Sequence, residues 1–321
     1  MKTLPLSLLV AALAVVVLPA CAQKMQPRAG AALGPRIPGT IGDGKQSKGS
    51  VKTTALKGVA IKIGTHGEAT VAYDLDLCRM AGGWTGKFTA PMNLKFRGDF
   101  PIGMGDVGFT AGDAAGFIAG DANEPWRDPR PEPFGPLPPG KARFKGFYVN
   151  SNKTILKWDI DGTEVLEMPK HTRKGNADIF TRVLQVAPSS KPLLVRVCAL
   201  PKGTVLTNIC CEDQAEWQAH SHDIRALWDA EAEVCLWKIS GGDLCLEIPP
   251  LAKSSNISIS VGICPKFGGV LNHDNFYGVS HELRSPGNLA ALIHGSAARW
   301  PESRCDTIKI IDTSHASGET P

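Results

Sequence analysis

The chain has 321 residues, of which 43% are hydrophobic and 21% are charged, and its formal net charge is +4. This apolar fraction is that of a globular protein, and the length suits one large or two ordinary domains. Lysine and arginine are scattered rather than massed with aromatic residues, which argues against nucleic acid as a partner.

The N-terminus has the pattern of a secretory signal over residues 1–22. Lys2 precedes an almost unbroken apolar run, Leu4–Leu18, and small residues follow it. The run is too short for a stable membrane span. Two processing sites fit, a lipobox that leaves Cys21 acylated and ordinary cleavage before Gln23. We therefore expect an exported protein in the periplasm, anchored to the outer membrane or extracellular, with a lipid on Cys21 as its one means of membrane attachment.

Residues 23–54 are rich in Pro, Gly, Ser and Lys and show no apolar periodicity, which predicts a disordered linker. From residue 55 onward, short apolar runs separated by turn residues predict strands. Residues 98–140 are rich in Gly, Pro and Asp and predict a long irregular excursion. The principal strand candidates are Val59–Ile63, Ala69–Tyr73, Arg143–Val149, Thr154–Ile160, Thr163–Met168, Ile179–Val186, Leu193–Cys198, Val234–Ile239, Leu244–Ile248 and Ile257–Ile263.

Turn and helix signals complete this outline. Asp161-Gly162 is a two-residue hairpin loop, whose positive φ angles favour Asp and Gly. Glu212–Ala219 and Ile224–Ala232 are ambiguous and fit short helices, and Asn288–His294 fits a short helix capped by Asn288. We expect a mainly β fold of the β-sandwich type over residues 55–307, with few short helices, either as one unit or as two stacked β units near 55–205 and 206–307. Residues 308–321 are expected to be a disordered tail.

The cysteine count agrees with export. Nine cysteines are present, and eight remain when Cys21 is set aside. An even number in an oxidising compartment predicts at least two disulfides, of unknown connectivity. The alternative is that some of the cysteines, such as Cys235 and Cys245, are small buried apolar residues.

Motifs for cofactors and metals are incomplete in this sequence. Gly103–Gly108 matches the dinucleotide pattern letter for letter, but it does not follow a strand and open a helix, so we interpret it as a loop. His220 and His222 could place two imidazoles on one face, yet no third ligand is evident nearby. The sequence also lacks the C-x-x-C-H run of haem attachment. We predict no cofactor and no metal site.

Two groups of residues are candidates for ligand binding. Asp74 and Asp76 are two apart, so on a strand they would share a face and suit a cation or sugar hydroxyls. Arg79 and Trp84 follow, and the indole of Trp84 could pack against a sugar ring. The alternative is that Trp84 anchors the core.

The second group centres on Glu164 and Glu167, which could form an acid/base pair of the kind that hydrolyses glycosidic bonds. Tyr148 and Trp158 are nearby in the predicted strands. Alternatively, both glutamates are structural or surface residues. No catalytic residue is identified by a complete motif.

Four sequence segments, taken together in chain order, resemble one family. They are Tyr73–Gly86, Gly135–Pro138 leading to Phe144–Val149, Gly162–Glu167, and Asn288–Gly295 with Ala298–Glu302. They are similar to an uncharacterised domain at the front of large exported bacterial proteins of the planctomycete type, where it precedes a β-propeller and often a c-type cytochrome module. The resemblance covers residues 55–307 and implies no catalytic residue. Unlike the long relatives, this sequence shows neither a propeller nor a haem motif.

Three hypotheses for function follow. The first is an exported module that binds a ligand, a glycan or an envelope protein. The second is a carbohydrate-active hydrolase with paired carboxylates. The third is an accessory domain that docks on a separate propeller or cytochrome protein. Two carboxylates facing each other in a cleft would favour the second, and a broad exposed apolar patch would favour the third.

Overall fold

A computed structural model describes residues 35–47, 50–86, 88–91, 101–103, 106–120, 135–201, 214–219, 222–230, 234–265 and 288–294 of the chain. All of them belong to the unit Gly34–Pro321. They form eighteen strands and one short helix, α1 (Leu289–Leu292). The described residues include no helix that is long and apolar enough to cross a membrane.

The strands form three sheets. The first sheet has the order β5-β6-β1-β2-β3-β4-β7, the second β14-β15-β18-β12-β11-β10-β9, and the third β16-β17-β13-β8. The bounds are β1 (Arg36–Ser47), β2 (Ser50–Ile63), β3 (Ala69–Asp74), β4 (Arg79–Thr85), β5 (Thr89–Pro91), β6 (Pro101–Gly103), β7 (Asp106–Thr110), β8 (Phe117–Ala119), β9 (Ala142–Asn150), β10 (Lys153–Ile160), β11 (Thr163–Lys174), β12 (Ala177–Val186), β13 (Leu193–Ala199), β14 (Gln214–Ala219), β15 (His222–Ala230), β16 (Leu236–Ser240), β17 (Asp243–Ile248) and β18 (Ser255–Pro265).

The pairing is antiparallel except between β1 and β6, so the predicted mainly β, sandwich-like fold class is confirmed. The hairpin turn between β10 and β11 is also confirmed. Asp161 and Gly162 both have positive φ, 48° and 84°, and Ile160 lies opposite Thr163. The two-residue loop therefore sets the register of the strands that carry Trp158 and Glu167.

The main core combines apolar side chains from all three sheets. Val71 of β3, Leu156 of β10 and Val195 of β13 belong to one cluster, and each is 0% exposed. Since alternate residues of a strand point to opposite faces, one face of the second sheet supplies Leu156, Trp158 and Ile160 to this core. A smaller cluster on the other face packs under Leu289 of α1.

One strand is more deeply buried than its sequence predicts. Ile257–Ile263 alternates apolar residues with serine and glycine, which suggests one solvated face, but β18 lies between β12 and β15 and both of its faces are covered. Ser258 and Ser260 are 0% exposed, and the Ser260 hydroxyl lies 2.8 Å from the hydroxyl of Thr181. The small serine side chain fits at both positions, and at Ser260 its hydroxyl also has a partner within the sheet.

Several expected boundaries need correction. The predicted linker over residues 23–54 does not extend to residue 54, because β1 and the start of β2 pair as an antiparallel hairpin inside it. Backbone hydrogen bonds and the buried side chain of Ile41 hold β1 in place despite its Gly-rich composition. The excursion over residues 98–140 contains three short strands, β6, β7 and β8, while residues 121–134 lie outside the described part.

The ambiguous region after residue 208 also forms strands rather than helices. β14 pairs along its full length with residues 222–227 of β15, and β15 pairs along its full length with β18 in the second sheet. Two stacked units divided near residue 205 are not observed, since the second and third sheets both take strands from each side of that point. The helix at Asn288 is confirmed, and the Asn288 side chain accepts a hydrogen bond from the Ala290 amide at 2.9 Å.

The five described cysteines are all buried, and no disulfide joins any two of them. They are Cys78, Cys198, Cys235, Cys245 and Cys264. The prediction of at least two disulfides gains no support within these residues. The alternative, that several cysteines serve as small buried side chains, fits Cys245 and Cys198, which belong to the main core cluster. Cys21, Cys210, Cys211 and Cys305 lie outside the described residues.

Candidate functional site

The carboxylate of Glu167 on β11 is the centre of a buried hydrogen-bond network. Arg182 of β12 donates to both of its oxygens, from Nε at 2.6 Å and from Nη2 at 3.1 Å. Tyr73 Oη donates to Oε1 at 2.8 Å, and Trp158 Nε1 donates to Oε2 at 3.0 Å. Glu167 is 0% exposed, so these four donors replace water completely.

These bonds join the three sheets. Tyr73 extends from the first sheet to Glu167 and Arg182 of the second, and Arg182 Nη1 donates to the backbone oxygen of Arg196 in the third sheet at 2.7 Å. Phe117 of β8 packs nearby, with the Arg182 guanidinium 5.5 Å from its ring centroid. The arrangement is a structural junction, which we call the three-sheet junction.

The electrostatics of the junction keep its groups in their ordinary protonation states. Burial raises the pKa of Tyr73 well above its usual value, and the negative charge of Glu167 raises it further. Burial by itself lowers the pKa of Arg182, but the adjacent Glu167 carboxylate outweighs that effect, so the net change is upward. Tyr73 therefore stays a neutral donor and Arg182 stays charged at physiological pH.

A second buried network holds the segment 111–116 against the third sheet. Arg196 forms an ion pair with Asp243 through Nη1 and donates to the Ala115 oxygen from Nε at 3.0 Å. Asp243 also accepts from the Gly112 amide at 3.0 Å. A Cβ at Gly116 would overlap with the backbone oxygen of Cys78, so only glycine fits at that close approach.

Asp74 and Arg79 belong to this second network rather than to an open site. Asp74 accepts from the amides of Asp76 and Leu77 at 3.1 and 3.2 Å, and thereby shapes the turn before β4. Arg79 donates to the backbone oxygens of Ala111, Gly112 and Thr54 and lies 3.7 Å from Asp74. Burial lowers the pKa of Arg79, although Asp74 opposes that change.

Trp84 lies in the core of the first sheet. It is 4% exposed, and its Nε1 donates to the backbone oxygen of Phe88 at 2.9 Å. Its neighbours in the cluster include Ile41 and Ala72. The structure thus places Trp84 where the core-anchor interpretation expects it, with little of the indole face open to a ligand.

Glu164 and Glu167 lie on opposite faces of β11. Residues three apart in a regular strand point in opposite directions. Glu164 is 46% exposed and pairs with Lys157 at 2.5 Å, whereas Glu167 is enclosed in the junction. Trp158 is also fully buried there, and Tyr148 packs on the other face beside α1. The structure therefore does not bring the predicted binding residues to one surface.

Three buried charged residues that organise these networks were not predicted from the sequence: Arg182, Arg196 and Asp243. A lone arginine within an apolar strand was the available signal, as in Leu193-Leu194-Val195-Arg196-Val197. Arginine is almost never fully buried without a partner. The pattern therefore indicates a buried ion pair, although it does not identify the acidic partner.

A third cluster surrounds His171, whose side chain is 0% exposed. Its Nδ1 lies 3.3 Å from Glu68 Oε1, and its Nε2 lies 3.0 Å from Asp178 Oδ1. Arg173 approaches the same Asp178 oxygen at 3.9 Å. Glu68 precedes β3, so the imidazole connects the first sheet to β11 and β12 of the second. One imidazole between two carboxylates links the elements that carry them but does not supply a set of metal ligands. The described residues contain no cluster that could hold a metal ion.

Open features among the described residues include a small pocket and two strand edges that carry exposed apolar side chains. The pocket measures about 20 Å³ and is lined by Phe117, Ile118, Lys141 and Asp161 among others, which is room for a water molecule and far too little for a sugar. The exposed large apolar side chains are Leu56 on β2, Phe147 and Val149 on β9, and Val234, Leu236 and Ile239 at β16. β9 and β16 are the end strands of their sheets.

A family model described as a domain of unknown function (DUF6797) matches residues 71–167. Part of the chain therefore matches an uncharacterised domain. The matched segment contains Tyr73, Trp158 and Glu167 of the three-sheet junction, while Arg182 and Arg196 lie beyond its end. No curated protein matches the chain.

Two solved structures have distant similarity to the chain. A heparinase III has a TM-score of 0.30 and 7% identity, covering 61% of this chain and 32% of its own. A protein described as a kojibiose phosphorylase from the human microbiome has a TM-score of 0.32 and 7% identity, covering 70% and 33%. The chain spans about a third of the length of each.

Proposed function

We propose that this chain is an exported envelope module that binds a partner protein through β16, the edge strand of the third sheet. The observation that carries the proposal is the exposure of large apolar side chains there. Val234 is 61% exposed, Leu236 46% and Ile239 52%. Three such residues within six positions expose apolar surface on both faces of this edge, and exposed apolar surface of this kind marks interaction sites.

The two faces of β16 strengthen this interpretation. Leu236 lies opposite Glu247 and Ile239 opposite Leu244, so the two exposed side chains project from opposite faces of the sheet. Strands that are apolar on both faces are typical of the interior of a sheet. Natural edge strands are usually protected by charges or proline, and β16 has one lysine, Lys238, which is paired with Glu247 at 2.6 Å. A partner that covers β16 would give it the environment that its sequence suits.

The candidate residues for the other hypotheses are engaged within the fold. Glu167, the stronger candidate for an acid or base, is saturated by four donors, and Trp84 is buried. Export, with or without a lipid on Cys21, rests on the signal pattern of residues 1–22. The partner class that the sequence resemblance implies is a separate propeller or cytochrome protein.

Site-specific crosslinking in the native host tests the proposal. A photoreactive phenylalanine analogue replaces Leu236 or Ile239, and the matched control replaces Leu56, which is 43% exposed on another sheet. We expect one discrete crosslinked protein from both β16 positions and none from Leu56. Ile239→Lys should abolish the product formed at Leu236. The proposal fails if Leu56 gives the same product, if the β16 positions give none, or if the product is a second copy of this chain.

Export is tested separately by the intact mass of the protein from the native host. A mature N-terminus at Cys21 or Gln23 is expected, and a cytoplasmic product that retains Met1 would contradict export.

A further inference from the structure

The second open edge, β9, has properties different from those of β16. β9 ends the second sheet and pairs with β10 along one side. No other described strand lies against its outer side. Its outward backbone N–H and C=O groups are therefore available to an added strand.

The two halves of β9 are not equally open. In the first half the register with β10 shifts between Lys157 and Trp158, which leaves Lys145 as an extra residue in a bulge. Bulges and charged side chains are the usual means of protecting an edge. In the second half, Gly146–Asn150 pairs regularly with β10, and Phe147 and Val149 are 42% and 53% exposed. Five residues of strand, about 17 Å, are thus open to pairing.

The side chains along this edge separate by face. Phe147 lies opposite Leu156 and Val149 opposite Thr154, so both project from the face that carries the main core. They extend the apolar surface of that face to its rim. An added strand would need apolar residues at alternate positions in order to cover them.

The opposite face of the same edge is cationic. Arg143 lies opposite Asp159, and Lys153 lies opposite Asn150. Both cations therefore project from the face opposite to that of Phe147 and Val149. Both are exposed. The carboxylates on these strands are engaged, since Asp159 accepts from the Gly162 amide at 2.9 Å and Glu164 pairs with Lys157. Lys153 therefore places a positive charge beside the open half of β9, and Arg143 places one beside the protected half.

We propose that the open half of β9, Gly146–Asn150, binds an extended peptide segment of alternating apolar and acidic residues as an eighth strand of the second sheet. The apolar side chains pack on Phe147 and Val149, and the carboxylates face Lys153, with Arg143 further along the same face. This is a site separate from β16, so either proposal can fail without the other.

Fluorescence anisotropy with labelled peptides tests this proposal on the full chain. The probe is the heptapeptide Glu-Val-Glu-Val-Glu-Val-Glu, and the matched controls are its lysine counterpart and a version with a central proline, which cannot pair as a strand. We expect the acidic peptide to bind at least about tenfold more tightly than either control, with affinity that falls as salt increases.

Variants locate the binding site. Phe147→Ser with Val149→Ser should weaken binding about tenfold by removing the apolar row. Lys153 is the exposed first residue of β10, so Lys153→Glu should not disturb folding and should weaken binding through repulsion alone. Leu236→Ser on β16 is the control and should leave it unchanged, and far-UV circular dichroism checks that each variant is folded. Equal binding of the three peptides, undiminished binding by Lys153→Glu, or an equal loss in Leu236→Ser would overturn the proposal.

Discussion

Removing the charge of Glu167 should be among the most destabilising single changes in this chain. In Glu167→Gln the side chain keeps its shape, but the Arg182 guanidinium loses its counter-ion in a site that is 0% exposed at Glu167 and 3% at Arg182. Breaking one partner of a buried ion pair typically costs about 3–5 kcal/mol, because the other charge stays buried and uncompensated. The amide of the new glutamine also turns a donor toward Tyr73 or Trp158, so a bond from one of them is lost. We expect a loss of about 3–5 kcal/mol in the free energy of unfolding.

A double-mutant cycle separates the ion pair from general disruption. Arg182→Met alone should lower the free energy of unfolding by a similar amount, because it leaves the buried Glu167 carboxylate without its counter-ion. The double variant removes both charges, so its loss should fall short of the sum of the two single losses by at least about 2 kcal/mol. Urea unfolding followed by tryptophan fluorescence measures all four proteins. A Glu167→Gln loss below about 1 kcal/mol, or strictly additive losses, would refute the account of the three-sheet junction.

Three further predictions concern other parts of the structure. Trp84→Ala should lower stability by about 3–5 kcal/mol, as for a buried tryptophan, and thermal melts beside a glycan array would contradict this if stability held while glycan binding was lost. Burial raises the pKa of Glu68, but hydrogen bonds from its own amide, the His66 amide and His171 lower it by more, so the folded value lies below the unfolded one. The stability that Glu68 contributes should thus be present at neutral pH and disappear as the pH falls through its folded pKa; a difference in melting temperature between wild type and Glu68→Gln that persists in strong acid would contradict this. Burial raises the pKa of Cys78 to about 12, so its thiol should react with alkylating agents only after denaturation, and rapid labelling of the native protein, located by mass spectrometry, would disprove its burial.

The strand content of this fold could be predicted from sequence because the evidence for it is local. Thr154–Ile160, Asp161-Gly162 and Thr163–Met168 form a hairpin whose turn chemistry and apolar spacing point to the same structure. Asn288 predicts its helix from local sequence in the same way, because its side chain can cap the first turn. The failures occur where the deciding contacts are distant. Residues 36–47 have linker composition, yet they form a strand because β2 supplies the hydrogen-bonding partner.

The candidate site was harder to predict than the fold. The spacing of Glu164 and Glu167 gives no indication that one is exposed and the other enclosed by side chains from two sheets. Tyr73 is 94 residues from its partner Glu167. Sequence pattern indicates that Arg182 needs a buried acidic partner, but only the packing of three sheets selects which one.

The place of β18 within the second sheet sets the order in which this protein can assemble. β18 is the last of the eighteen described strands along the chain, but it lies between β12 and β15. Until it arrives, β12 has no neighbour on that side and β14–β15 is a detached hairpin. Synthesis from the N-terminus therefore yields a long-lived unfinished sheet with an apolar edge, and folding must wait for contacts between distant parts of the chain, which slows it. A chain that has to cross a membrane unfolded would gain from this delay, because its second sheet closes only once β18 is present.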